Sequence, residues 1–145
     1  MNKFMKAAFN EAKKGLEEGG IPIGSVLVYK GKIIGKGRNR RVQKGSAILH
    51  SEMDALENAG RLSGTIYRES VLYTTLSPCS MCSGAILLYK IPKVIIGENK
   101  NFTGEEELLR SKGVIVEILH DPSSIEIMLN FIKKNPDLWN EDICI

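Results

Sequence analysis

Two short stretches about 30 residues apart are of little use unless they meet in space, and that demand constrains the fold more than any other feature of the chain. The first is His50-Ser51-Glu52. The second runs Leu76-Ser77-Pro78-Cys79-Ser80-Met81-Cys82-Ser83-Gly84-Ala85-Ile86. If the segment after Pro78 is helical, Cys79 and Cys82 lie three positions apart on one face, with about 5 to 6 Å between their Cβ atoms. Two thiolates at that separation can share one Zn²⁺ at about 2.3 Å each. Ser77 suits an N-cap and Pro78 a first helical position, which sets both cysteines in the opening turns. The partial positive charge there favours the thiolate. His50 adds a nitrogen ligand, leaving a tetrahedral zinc with one position open for water, the mark of a catalytic site rather than a structural one.

Glu52 lies two residues beyond His50, near enough to reach that water without being a ligand. Zinc draws the pKa of its water down towards about 7. Glu52 can then take and return a proton, a general acid/base role worth about 10² to 10⁴ in rate. Each half of the pattern has a blander reading. A Cys-x-x-Cys alone also fits a redox pair or half of a structural zinc site, and a lone His-x-Glu is commonplace. Their conjunction, with Pro directly before the first Cys, points to zinc-assisted hydrolysis.

The chain of 145 residues suits one domain spanning 1–145, with 43% hydrophobic and 26% charged residues, an ordinary globular composition. A formal net charge of +3, with basic and acidic residues interspersed, does not by itself argue for nucleic acid. Three cysteines, two of them in the metal motif, leave Cys144 unpaired, a pattern of reducing compartments. The N-terminus has no apolar h-region and no apolar run reaches the length of a membrane span, so a cytoplasmic location is expected.

Taken in order, Lys3 to Glu18 carries Phe4, Ala8, Ala12 and Leu16 at helical spacing, with Met5 and Phe9 beside them, and stops at Gly19-Gly20. Ser25–Tyr29 and Lys32–Gly37 read as a hairpin about Lys30-Gly31. The polar run from Arg38 to Gly45 then crosses towards the metal. His50–Asn58 is a predicted helix ending at Gly60. Val71–Thr75, Lys93–Gly97 and Val114–Leu119 are predicted strands. Helices are predicted at Cys79–Tyr89, Glu105–Ser111 and Ser123–Lys134, the last burying Ile125, Met128, Leu129 and Ile132, with a final piece at Asp137–Asp142. Strands alternating with helices imply parallel pairing and a three-layer α/β/α sandwich about a five-stranded mixed sheet.

His-x-Glu followed by Pro-Cys-x-x-Cys is the pattern of the zinc-dependent nucleobase deaminases. Beyond it, the chain resembles the small fungal-type cytosine deaminases, a branch of the cytidine deaminase superfamily. The likeness runs through Glu18-Gly19-Gly20-Ile21-Pro22-Ile23-Gly24, Gln43-Lys44-Gly45-Ser46-Ala47, Leu56–Leu62, Leu72–Cys79, Gly97–Phe102 and Trp139-Asn140-Glu141-Asp142. The resemblance implies hydrolysis of a small nucleobase, cytosine, to uracil and ammonia in pyrimidine salvage, by a homodimer with one zinc per subunit. It implies that Asn39 hydrogen-bonds the pyrimidine O2 and a ring N–H, that the Ser51 backbone N–H binds O2, and that Glu52 contacts N3. It also implies that Asp142 and the Ser77 carbonyl hold the exocyclic amine, and that Phe102 and Trp139 close over the ring.

The residues by themselves leave Asn39 as readily a turn residue, Phe102 a core residue and Asp142 a solvated acid, whereas Trp139 in a polar setting wants a pocket. Two positions depart from the fungal pattern: Ser51 stands where glycine is usual, and Asn140 where an aromatic residue is usual. The competing readings are a tRNA adenosine deaminase, which needs a basic phosphate-binding surface, a guanine deaminase, and a zinc-stabilised binding protein without turnover.

Overall fold

The computed structural model describes residues 2–145. The chain opens with helix α1 (Lys3–Glu17), whose first amides are capped by the Asn2 side chain, 2.8 Å from the Phe4 N–H. A hairpin follows, β1 (Gly24–Tyr29) and β2 (Lys32–Arg38), then the one-turn helix α2 (Arg41–Lys44) and helix α3 (Ser51–Ala59). A second short helix, α4 (Gly64–Arg68), leads into β3 (Ser70–Leu76), helix α5 (Ser80–Tyr89) and β4 (Lys93–Glu98). Helix α6 (Glu106–Ser111), β5 (Ile115–Ile118), α7 (Pro122–Lys134) and α8 (Pro136–Asp142) complete the order.

The strands form one mixed sheet in the order β2-β1-β3-β4-β5. Strand β1 runs antiparallel to both β2 and β3, while β3, β4 and β5 are parallel. Side chains alternate across it with the period of two that a pleated strand imposes. Leu27, Leu72, Val94 and Ile96 face a core closed by Leu56 of α3 and Ile86 of α5. Val26, Val28, Tyr73 and Ile95 face Met5 and Ala8 of α1 on the other side. A third cluster joins Met128 and Phe131 of α7 and Trp139 of α8 to Ile21, Ile23 and Leu76. Helices thus cover both faces, as the strand-helix alternation predicts, and the mixed five-stranded sheet agrees with it.

What places α3 is its contact with β2. A Cβ on Gly37 would collide with the Ala55 N–H and Ser51 carbonyl, and one on Gly35 with the Ala55 carbonyl at 2.5 Å, so only glycine lets helix and strand approach this closely. The buried Asp54 carboxylate then accepts from the Arg38 backbone N–H and from Arg40 Nε, both at 3.0 Å, fixing the helix along the strand. The N-termini of α3 and α5 converge beyond the carboxyl ends of the parallel strands, where open α/β sheets bind ligands.

Several predicted details are corrected. Helix α5 starts at Ser80 with Cys79 as its N-cap, so Ser77 is not the cap and Pro78 is not helical. Ser77 is held in extended chain instead. Its N–H bonds the Glu98 carbonyl at 3.1 Å and its hydroxyl bonds Glu106 at 2.6 Å, which keeps it off the helix axis. Helices α2 and α4 are missing from the sequence reading because one turn shows no periodicity. Leu16 and Leu129, predicted to be buried, are about two-fifths exposed, at 42% and 41%. In α1 the inward stripe is Met5, Ala8, Glu11, Ala12 and Gly15. In α7 it is Ser124, Met128 and Phe131, which leaves Leu129 one step round the helix from Met128.

Candidate active site

His50 is the N-cap of α3, and its ring lies beside the N-terminus of α5. Its Nδ1 is 3.4 Å from Cys79 Sγ and 3.7 Å from Cys82 Sγ, and one donor atom from each of the three residues falls within 4.8 Å of the others. Tetrahedral bonding at about 2.3 Å to sulfur and about 2.0 to 2.1 Å to nitrogen puts N and S about 3.5 Å apart. The spacing found therefore fits a zinc ion. The other ring nitrogen, Nε2, is 3.4 Å from Asp142 Oδ2. A carboxylate at that position holds the proton on Nε2 and presents Nδ1 as the metal donor, the usual support for a ligating histidine.

The electrostatics agree. Hydrogen bonding from Cys82 brings the Cys79 thiol down to a pKa of about 4, against the opposing effect of burial and with further help from His50. Burial works against a charge on His50, yet Asp142 and the Cys79 sulfur outweigh it and raise its pKa to about 10. Asp142 is itself buried, which works against its charge, but hydrogen bonding to His50 wins and lowers its pKa. Sulfur and carboxylate acceptors thus crowd one place, and a divalent cation held by His50, Cys79 and Cys82 would balance their charge.

Glu52, at the second position of α3, is 4% exposed. Its pKa is raised, first by burial and also by the neighbouring Cys79, while His50 opposes. The carboxyl lines a cleft shared with His50, Cys79, Asp142 and Ser77. Phe102 and Trp139 meet edge to face above it, 5.9 Å between ring centroids at 82°, and Ile23, Leu76 and Ile143 supply apolar walls.

The remaining predicted residues are distributed around this core. Ser51 is fully buried and lines the cavity. The Ser77 hydroxyl is spent on Glu106 and on the Gly104 N–H at 2.9 Å, so Ser77 can offer the cavity only its backbone. Asn39 is fully buried beneath Asp142 rather than among the cavity-lining residues. Its Nδ2 donates to Asp142 Oδ1 at 2.9 Å and its Oδ1 accepts from the Arg41 N–H at 3.1 Å. One amide proton and one lone pair remain uncommitted.

Arg41 is a site residue that the sequence reading missed: its Nη1 is 3.5 Å from Asp142 Oδ1, so it helps hold α8 over the cavity. Within the basic run Arg38–Arg41 nothing in the sequence distinguishes it. Ile23 and Ile143 also line the cleft, and no sequence signal sets them apart from other apolar residues.

A His/Cys/Cys donor set at two converging helix N-termini, with a buried glutamate on the same cavity, defines a zinc-dependent hydrolytic enzyme. The chain belongs to the cytidine and deoxycytidylate deaminase family, whose zinc-binding region matches residues 1–98. It is 55% identical to a cytosine deaminase of Candida albicans over 142 residues, covering 97% of this chain and 95% of that one. It is 45% identical over 108 residues to a tRNA-specific adenosine deaminase of Streptococcus pyogenes, covering 72% and 67%. Among solved structures, one from work on A-to-I editing by tRNA:A34 deaminases superposes with a TM-score of 0.73 at 28% identity, covering 88% of this chain and 99% of that one. A guanine deaminase from Nitrosomonas europaea, 17% identical with a TM-score of 0.72, shares the fold over 88% and 82%.

Proposed function

We propose that the protein hydrolyses free cytosine to uracil and ammonia. The observation that carries this reading is the 55% identity to a cytosine deaminase across 97% of the chain. The site supports it: Phe102 and Trp139 meet edge to face over the cleft that His50, Glu52, Cys79 and Asp142 line, as a cover for a planar base.

His50, Cys79 and Cys82 hold the zinc in this proposal. Zinc bound there supplies Lewis-acid activation of water. The chain's own residues then do the following. Glu52 takes a proton from the attacking water and delivers it to ring N3 as C4 accepts the oxygen, then passes a proton to the amine, which leaves as ammonia. One cytosine and one water become one uracil and one ammonia. Burial of Glu52 favours the protonated form it must adopt midway. Asp142 and the Ser77 carbonyl receive the amine's protons, and the Ser51 N–H meets O2. Asn39, expected from the resemblance to meet O2 and a ring N–H, lies off the cavity and serves the site from beneath, its bond to Asp142 keeping that carboxylate in place. Phe102 and Trp139 cover the ring and exclude bulk water.

We place the enzyme in pyrimidine salvage in the cytoplasm, where its three unbridged cysteines are at home, and as a homodimer. Apolar exposure at the end of α5, with Leu88 71% exposed and Tyr89 beside a depression lined by Met53, Arg61 and Tyr67, supports pairing through this face.

The deciding experiment offers the zinc-loaded protein cytosine, cytidine, adenine, guanine and a tRNA anticodon stem-loop in parallel and measures ammonia. Strong preference for cytosine is expected. Turnover of the stem-loop with silence on cytosine would move the protein to the tRNA-adenosine branch.

A further inference from the structure

The Ser51 hydroxyl is a polar group of the active-site helix that neither the metal set nor the substrate contacts above employ. It is 2.8 Å from Glu52 Oε1 and 2.7 Å from Ser25 Oγ, and all three residues are buried. A serine hydroxyl has one proton to give, and an ionised carboxylate can only accept. Ser51 therefore donates to Glu52, and the bond at 2.7 Å has Ser25 as its donor. The chain of hydroxyls runs in one direction, Ser25 to Ser51 to Glu52. Ser25 sits on the sheet's interior, opposite Gly37 of β2 and Thr74 of β3. The chain thus anchors the carboxylate to the sheet as well as to its own helix.

We infer that Ser51, supported by Ser25, is a positioning residue for Glu52. With Oε1 held by Ser51, proton exchange with the base falls to Oε2, and the carboxylate cannot rotate away from the substrate. Proton transfer needs donor and acceptor within about 2.6 to 3.2 Å, a span that a freely turning glutamate occupies only part of the time. Two aligned donors in a low-dielectric interior also strengthen each other. The inference rests on reading Glu52 as the proton carrier.

The test uses zinc-loaded wild type, Ser51→Ala, Ser25→Ala and the double variant, with rapid-quench single-turnover rates on cytosine, substrate affinity, zinc content and thermal midpoint for each. The Ser51→Ala rate should fall about tenfold, the scale of one hydrogen bond to a charged group, with affinity changed less than about twofold and zinc stoichiometry retained. Ser25→Ala should cost less, and should cost nothing further in the Ser51→Ala background, because it acts through Ser51. A purely structural role would lower the thermal midpoint without moving the single-turnover rate. Wild-type rates in Ser51→Ala, or Ser25 and Ser51 effects that simply multiply, would overturn the inference. Should Ser51→Ala misfold, Ser51→Gly removes the hydroxyl without adding bulk, and Ser25→Ala reads the chain from its far end. A wild type silent on cytosine but active on another base would sink only the substrate assignment, and the same rate ratios on that base would still judge the serine pair.

Discussion

At the scale of the residue, the site divides its labour by which atom each side chain commits. His50 spends Nδ1 on the sulfurs and Nε2 on Asp142, so under the proposed function Asp142 has two tasks, orienting a ligand and meeting the amine. Asp142→Asn should therefore weaken zinc as well as cytosine, by about 10- to 100-fold in metal affinity. Competition with a chelator checks this, and wild-type zinc affinity in the variant would confine Asp142 to the substrate. Glu52→Gln should keep its zinc and lose about 10² to 10⁴ in turnover. Metal analysis beside an ammonia assay separates the two effects. The His50, Cys79 and Cys82 cluster and the glutamate beside it were legible in the sequence because ligand chemistry and spacing are local properties. The engagement of Asn39 with Asp142 was not, because those residues stand 103 positions apart.

At the scale of the element, α3 carries half of the site and depends on two glycines of its neighbour. Gly37→Ala would push Ser51 and Ala55 off β2 and displace His50 and Glu52 with them. Overpacking of this kind costs about 1 to 3 kcal/mol, so the urea midpoint should fall and activity with it. An unaltered midpoint would mean that the helix yields more easily than its contacts indicate. The same strand end carries Arg38, which bonds Glu18 through Nε and Nη2 at 2.9 and 2.8 Å and Glu11 through Nη1 at 2.9 Å. The two bonds to Glu18, with one from Gln43, lower the Glu18 pKa from 4.5 to about 2. A depressed carboxylate adds stability above its unfolded pKa and loses it as pH falls through the folded one. The stability gap between wild type and Arg38→Met should therefore shrink as pH drops from about 4.5 to 2. It should be a small gap, since Glu18 is two-fifths exposed and screened by solvent. Denaturant titrations at several pH values measure it. The alternation of strands and helices could be read from periodicity, but the strand order, the one-turn helices α2 and α4 and the true start of α5 could not; tertiary hydrogen bonds to Ser77 decide where that helix begins.

For the whole molecule, the parallel half of the sheet brings the segments after β3 and β4 to one edge, and α8 returns from the far end of the sequence to roof the cavity between them. If two copies pair through the α5 surface, Leu88→Glu should shift the sedimenting species from two chains to one while leaving zinc bound. A wild type that sediments as a single chain would remove the dimer from the proposal.

The His50, Cys79 and Cys82 cluster, the candidacy of Glu52 beside it and the alternation of strand and helix could be read from the amino-acid order alone, since each depends on residue chemistry and spacing over a few neighbours. Only the tertiary structure decided which histidine nitrogen faces the sulfurs, that Arg41 and Asn39 hold Asp142 in place, and that a hydroxyl chain from β1 ends on Glu52. Those outcomes depend on how strands and helices from distant parts of the chain are stacked. Packing, unlike periodicity, leaves no local trace.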